Sequence, residues 1–311
     1  MRQVASSLIA LGLLFRWLAG AVIAVPAEQP TVQSGIDAAL RGDTVLVAPG
    51  TYRENVNFRG KGVLLGSRFI QTGNPADIDS TVIDGSSPVQ PDSASCIIIA
   101  GDTLSVSDDT LAAVIGFTIT GGTGTRWADE HGAGTFREGG GLLIQYASPR
   151  IRHNMIARNR AHDAGLQAGG GGIRVGDGNP RIENNAILGN VSDVYGGGIV
   201  LNFTGAVVRN NIIAFDTTGV GYGAGGGIWV YANDPLGRPR VIANNVIYAN
   251  VTGQNSSLAG GIRVSAASAS IRNNIVRANS NRQIVGASDV AYCDVEGGYS
   301  GVGNMMPTRS F

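Results

Sequence analysis

The sequence predicts an all-β chain wound as a parallel β-helix, a solenoid, with a short helix closing its N-terminal end. Three observations predict it. Glycine contributes 47 of 311 residues, charged residues 15% and hydrophobic residues 43%, a balance of many turns around an ample apolar core. A residue pair, usually Asn-Asn, recurs at His153-Asn154, Asn184-Asn185, Asn210-Asn211, Asn244-Asn245 and Asn273-Asn274. Around these pairs the aliphatic residues keep fixed offsets, with no helical period.

The chain opens with "MRQVASSLIALGLLFRWLAGAVIAVPAEQ". An early Arg followed by an apolar run reads as a secretory signal peptide over 1–27, with a small-residue cleavage site at Val25-Pro26-Ala27 and Val22-Ile23-Ala24 as the second choice. Arg16 interrupts the run, and no later segment has the ~20 apolar residues that a membrane span requires. Residues 28–311 are expected to form one domain. In "TVQSGIDAALRGD", Val32, Ile36, Ala39 and Leu40 share a helical face, Thr31 can cap the start and Gly42 the end. A short amphipathic helix suits the open end of a solenoid, where strand and core are otherwise unpaired. Strand signals follow in "TVLVA" (44–48), "VLLGS" (63–67), "STVIDG" (80–85), "SCIIIAG" (95–101) and "AAVIGFTITGG" (112–122).

From there the repeat is regular. Glycine clusters end at Gly141, Gly172, Gly198, Gly227 and Gly261. A period-two strand follows each, with inward pairs Leu142/Ile144, Ile173/Val175, Ile199/Leu201, Ile228/Val230 and Ile262/Val264. Two further aliphatic columns flank the Asn pair: Ile151, Ile182, Val208, Ile242, Ile271 before it, and Ile156, Ile187, Ile213, Ile247, Val276 after it. Three short strands per repeat, alike in every column, stack as turns ~4.8 Å apart. Asn tolerates left-handed backbone, and its amide both donates and accepts, so stacked copies can bond along a column. A second such column is Asn159, Asn190, Asp216, Asn250 and Asn279. The glycines supply positive φ and close backbone approach.

The stretch "TVQSGIDAALRGDTVLVAPGTYRENVNF" and the repeats "GGGI…PRIENNAI" resemble secreted right-handed parallel β-helix repeat proteins of the pectin-lyase-like superfamily, from about residue 30 to the end. That resemblance implies a right-handed coil, export and a cell-surface or extracellular place. It leaves function open among polysaccharide lyases, hydrolases, epimerases and adhesins. The acid pairs and Gly-His-Gly of the superfamily's galacturonases are absent, and no Asp cluster of the pectate-lyase kind stands out. "YCDVEGGYSGVGN" (292–304) resembles a final turn, but "MMPTRSF" replaces the expected Asp-Pro-x-Phe continuation, which reads as a truncated or frame-shifted end.

Composition limits the chemistry. Basic and acidic residues balance at 23 each with no like-charge run, which excludes a nucleic-acid footprint. Cys96 and Cys293 fall several turns apart, beyond the ~7 Å Cα reach of a disulfide, so two free thiols are expected. The Gly221–Gly226 match to G-x-G-x-x-G lacks a βαβ context. Asn-x-Ser/Thr sequons begin at Asn190, Asn202, Asn250 and Asn255.

Beside the glycines runs an outward column of Leu143, Arg174, Val200, Trp229 and Arg263, with Gln145, Gly176, Asn202, Tyr231 and Ser265 two residues further on. Trp229 and Tyr231 with Asn202, Arg174 and Arg263 suit a polysaccharide: rings take the apolar sugar face and Arg pairs with a uronate carboxylate. The expected partner is therefore a polysaccharide or cell-surface glycan, bound along the groove. Loops before the glycines carry Arg126, Asp129, Glu130, His131, His162, Asp163, Asp193, Tyr195, Asp216 and Tyr222. Of these, Asp163, Asp193 and Asp216 are the candidates for a lyase or glycoside hydrolase on an acidic polymer. Calcium-assisted β-elimination is the one cofactor-dependent variant; otherwise no cofactor or metal is expected. The third class is a structural or adhesive surface protein. Arg152, Glu183, Arg209 and Arg272 form a further outward column, expected to be a solvated face.

Overall fold

The computed structural model describes residues 20–101, 111–129, 131–219, 225–253 and 257–305. The chain is a right-handed parallel β-helix. Each complete turn contributes one strand to each of three parallel sheets, which hold ten, nine and eight strands because the terminal turns are incomplete. The ten-stranded sheet runs from Val22–Val25 to Asp289–Ala291, the nine-stranded from Gly50–Tyr52 to Asp294–Val295, and the eight-stranded from Val56–Asn57 to Arg282–Val285. Like residues meet between turns: Ile151 pairs with Ile182, Val208 with Ile242, and Ile199 with Ile228. These columns are fully buried and form one core along the coil axis. Nearly continuous burial favours branched aliphatics, which pack well on pleated surfaces.

At the N-terminal end, Val32–Ala38 is the capping helix. The Thr31 side chain accepts from the Ser34 N–H, and Ser34 Oγ accepts from the Thr31 N–H, closing a capping box. Val32, Ile36 and Ala39 are buried. Leu40 is 74% exposed, because the chain turns extended at Ala39 and leaves the helical face; Gly42, at φ +89°, belongs to the turn beyond. Val22–Val25 pairs in register with Thr44–Val47 and buries Val25. This strand belongs to the folded unit although the sequence reads as leader to residue 27. Cleavage after Ala27 would strip the first strand from its sheet.

The Asn pairs divide their labour. The first member takes the left-handed backbone, at φ 54–57° for His153, Asn184, Asn210, Asn244 and Asn273. The second is buried and bonds onward, Nδ2 to the next Oδ1, from Asn154 through Asn185, Asn211 and Asn245 to Asn274 at 3.0–3.1 Å. The second column runs parallel: Asn159 donates to Asn190, Asn190 to Asp216, the Asp216 N–H to Asn250, and Asn250 to Asn279. Asp216 is thus a fully buried ladder rung, which removes it from the catalytic candidates. The thiols end the ladders. Cys96 Sγ donates to Asn159 Oδ1 at 3.3 Å, and Asn274 N–H donates to Cys293 Sγ at 3.4 Å. Both cysteines are free and buried. Buried Asn190 and Asn250 are closed to glycosylation, and Asn255 lies outside the described residues.

The last glycine of each cluster is required by this ladder. A Cβ on Gly172 would lie 2.7 Å from Gly198 O and 3.1 Å from Asn190 Nδ2. The supposedly solvated charge column is also partly internal. Glu183 is buried between Arg152 and Arg209 of the adjacent turns, with Nε–Oε approaches of 3.3 and 2.6 Å.

One insertion breaks the regularity. Gly124–Ala128 and Thr135–Glu138 form an antiparallel hairpin, with Trp127 opposite Phe136, that joins Ser93–Ala94 and Ala168–Gly169 in a separate four-stranded sheet. The hairpin and its neighbouring loops cover part of the outer face of the eight-stranded sheet. Leu143, Arg174 and Val200 are therefore buried rather than projecting into solvent.

Candidate functional site

Where the hairpin overhangs the sheet, it encloses a pocket of about 460 Å³. The sheet contributes Asn202, Trp229 and Tyr231; the hairpin brings Asp129, His131, Phe136 and Glu138; corner residues add Gln167, Tyr195 and Phe203. Strand alternation explains the first group. Trp229 and Tyr231 are two apart on Ile228–Tyr231, so both face outward, and Asn202 is paired beside Tyr231.

The apolar wall is a row of rings, of which Tyr195, Trp229 and Tyr231 are near-parallel. Trp229 stacks on Tyr195 at 4.3 Å and on Tyr231 at 5.1 Å. Phe203 meets Tyr231 edge-on at 6.5 Å and stacks on His131 at 3.6 Å. The Tyr195 hydroxyl donates to Gln167 Oε1 at 2.7 Å, which fixes the near end of the row. Burial raises the Tyr195 phenol, with Tyr231 adding to it, so it stays a neutral donor.

The polar wall is built around Arg174. It is 2% exposed, and its Nε lies 2.6 Å from Glu138 Oε2, an ion pair without hydrogen-bond alignment. Nη1 donates to Gln145 Oε1 in a short contact, and Nη2 lies 4.0 Å from Asp129 Oδ2. Gln145 Nε2 donates to Asp177 Oδ2 at 3.0 Å, and His131 Nε2 sits 3.3 Å from both Asp177 oxygens. Burial raises the Asp177 carboxyl, opposed by His131 and Arg174. Asp129 and Glu138 line the pocket, and both side chains are at most a tenth exposed. Asn202, 9% exposed, leaves its Oδ1 without a hydrogen-bond partner. An orphaned buried carbonyl costs about 1–3 kcal/mol until something donates to it.

The expected site residues thus separate. Trp229, Tyr231 and Asn202 converge. Arg174 lies behind the carboxylates as their counter-charge and cannot meet a substrate acid. Arg263 pairs beside Trp229 one turn on, outside the pocket lining. Asp163 is a clamp: it accepts from the Gly165 N–H, from Arg137 Nε at 2.9 Å and from Arg126 Nε at 3.3 Å. Those contacts, the Gly165 amide foremost, pull its carboxyl down to about 2, too acidic to deliver a proton. Asp193 pairs with His162 Nδ1 at 2.7 Å on a partly exposed corner, outside the pocket lining. Tyr222 and Glu130 lie outside the described residues. Among the described residues, no group of three or more His, Cys, Asp or Glu is arranged to hold a metal ion, and no helix is long and apolar enough to cross a membrane.

Glu138, Phe136 and Phe203 are absent from the sequence candidates, while Asp129 and Tyr195 count there only as loop residues. The available signal was "TRWADEHGAGTFRE", two short β-prone runs around a Gly turn, which marks a hairpin. No protein-family model matches the chain, and neither a curated protein nor a solved structure shows significant similarity to it.

Proposed function

We propose that this protein is an exported β-helix that binds a glycan in the pocket beside its Gly-rich corner. The observation that carries the reading is the meeting of an aromatic row, Tyr195–Trp229–Tyr231, with the buried acceptors Asp129, Glu138 and Asn202. Sugars need both: apolar C–H faces pack on rings, and hydroxyls donate to fixed oxygens. Export and kinship with the pectin-lyase-like superfamily belong to the same proposal, supported by the N-terminal composition and the repeat.

The test is titration of the full chain with defined oligosaccharides, followed by heat. Trp229→Ala is expected to weaken binding by about 1–2 kcal/mol or more, roughly ten-fold or beyond. Unchanged affinity in that variant removes the pocket as the site.

Turnover is a second reading, favoured by one observation: two carboxylates, Asp129 and Glu138, line the same cavity. New reducing ends from a bound oligosaccharide, abolished in Asp129→Asn, would establish it. Intact oligosaccharide after prolonged incubation rejects it.

A further inference from the structure

We infer that the pocket selects a glycan carrying a cationic amino group, rather than a uronate. The inference rests on the glycan reading above and narrows it. Three carboxylates, Asp129, Glu138 and Asp177, gather around one guanidinium, and that guanidinium is already spent on Glu138 and Gln145. His131 can offset part of the surplus only when protonated, and it already faces Asp177. An entering uronate would bring a fourth carboxylate into a partly desolvated space with no Lys or Arg among the described residues that line it, and like charges there repel strongly. An ammonium group would meet the opposite situation.

Hydrogen bonding points the same way. Asn202 Oδ1 is a buried acceptor awaiting a donor. Asp129 Oδ1 is occupied by the backbone N–H groups of His131 and Ala133, whereas Oδ2 has, among the described residues, only Arg174 Nη2 at 4.0 Å. An –NH₃⁺ supplies three donors and no acceptor, which fits oxygens of this kind. The rings opposite add attraction, since a cation within ~6 Å of an aromatic centroid is stabilised by the ring quadrupole. A neutral hydroxyl in the same place would satisfy Asn202 but gain neither charge term.

The experiment uses the full chain and four tetrasaccharides: β-1,4-linked glucosamine, its fully N-acetylated form, the glucose equivalent, and a galacturonate. Isothermal titration is run at low and at physiological salt. The glucosamine tetramer is expected to bind at least roughly ten-fold more tightly than the glucose tetramer, and the galacturonate most weakly. N-acetylation, which removes the charge and keeps the backbone, should erase the preference. Asp129→Asn, checked for an unchanged melting midpoint, should lose most of it. Because Arg174 lies behind Asp129, the wild-type N-acetyl comparison stands even if that variant does not fold. Equal binding of the glucosamine and glucose tetramers overturns this inference and leaves the glycan reading intact. Tightest binding of the galacturonate likewise overturns it. Binding of none of the four overturns both.

Discussion

Asp216→Asn should make this protein more stable, by an amount that depends on pH. In the other rungs of that ladder the amide nitrogen donates twice: Asn190 Nδ2 to Ile156 O and Asp216 Oδ1, Asn250 Nδ2 to Ile213 O and Asn279 Oδ1, all at 2.9 Å. Asp216 Oδ2 occupies the equivalent place beside Gly198, as Asn190 Nδ2 does beside Gly172, and it has no hydrogen-bond partner. Full burial raises its carboxyl well above the ordinary 3.8, against the pull of Asn190. The protonated acid can donate as an amide does; the carboxylate cannot. An acid raised in the folded state contributes its stability below the unfolded pKa and loses it as pH climbs toward the folded one. Restoring two hydrogen bonds and relieving an orphaned oxygen should add about 2–4 kcal/mol at pH 7. For a chain of this size that is roughly 4–8 °C in melting midpoint, at about 2 °C per kcal/mol. The assay is thermal unfolding of both proteins across an acidic-to-neutral pH series. Their midpoints should lie closest below about pH 4, where the protonated acid makes one of the amide's two donations, and separate steadily above it. A separation that does not change with pH would refute the titration argument, and a less stable variant at neutral pH would refute the ladder geometry.

Asn245→Ala removes a rung that donates to Val208 O and Asn274 Oδ1 and accepts from Asn211; urea unfolding should show a loss of about 2–4 kcal/mol. Arg174→Met leaves Glu138 and Asp129 buried without their counter-charge and should cost about 3–5 kcal/mol, with Arg174→Met/Glu138→Gln recovering a large part of it. A substrate-contact role for Arg174 would instead lower affinity with little change in stability. Neither thiol should react with a disulfide reagent in the native protein at pH 8, and two equivalents should react after unfolding, because both are buried and burial pushes Cys96 up to about 12.

The sequence alone determined the coil. Ile182 touches Ile151 and Val208 because each sits at the same place in its own repeat, so periodic spacing is itself the contact map. The Asn columns, the close-approach glycines and the free thiols are legible for the same reason. What the tertiary structure decided is which outward residues stay outward. Arg174, Trp229 and Arg263 share one column, yet Arg174 is buried under Glu138 while the ring of Trp229 lines a cavity. The difference comes from a single non-repeating hairpin, Gly124–Glu138, whose partners lie on several different turns. Contacts of that kind have no counterpart at the same offset in other repeats. Periodicity therefore carries the core and its ladders, and only the folded chain brings Asp129 and Glu138 opposite Trp229.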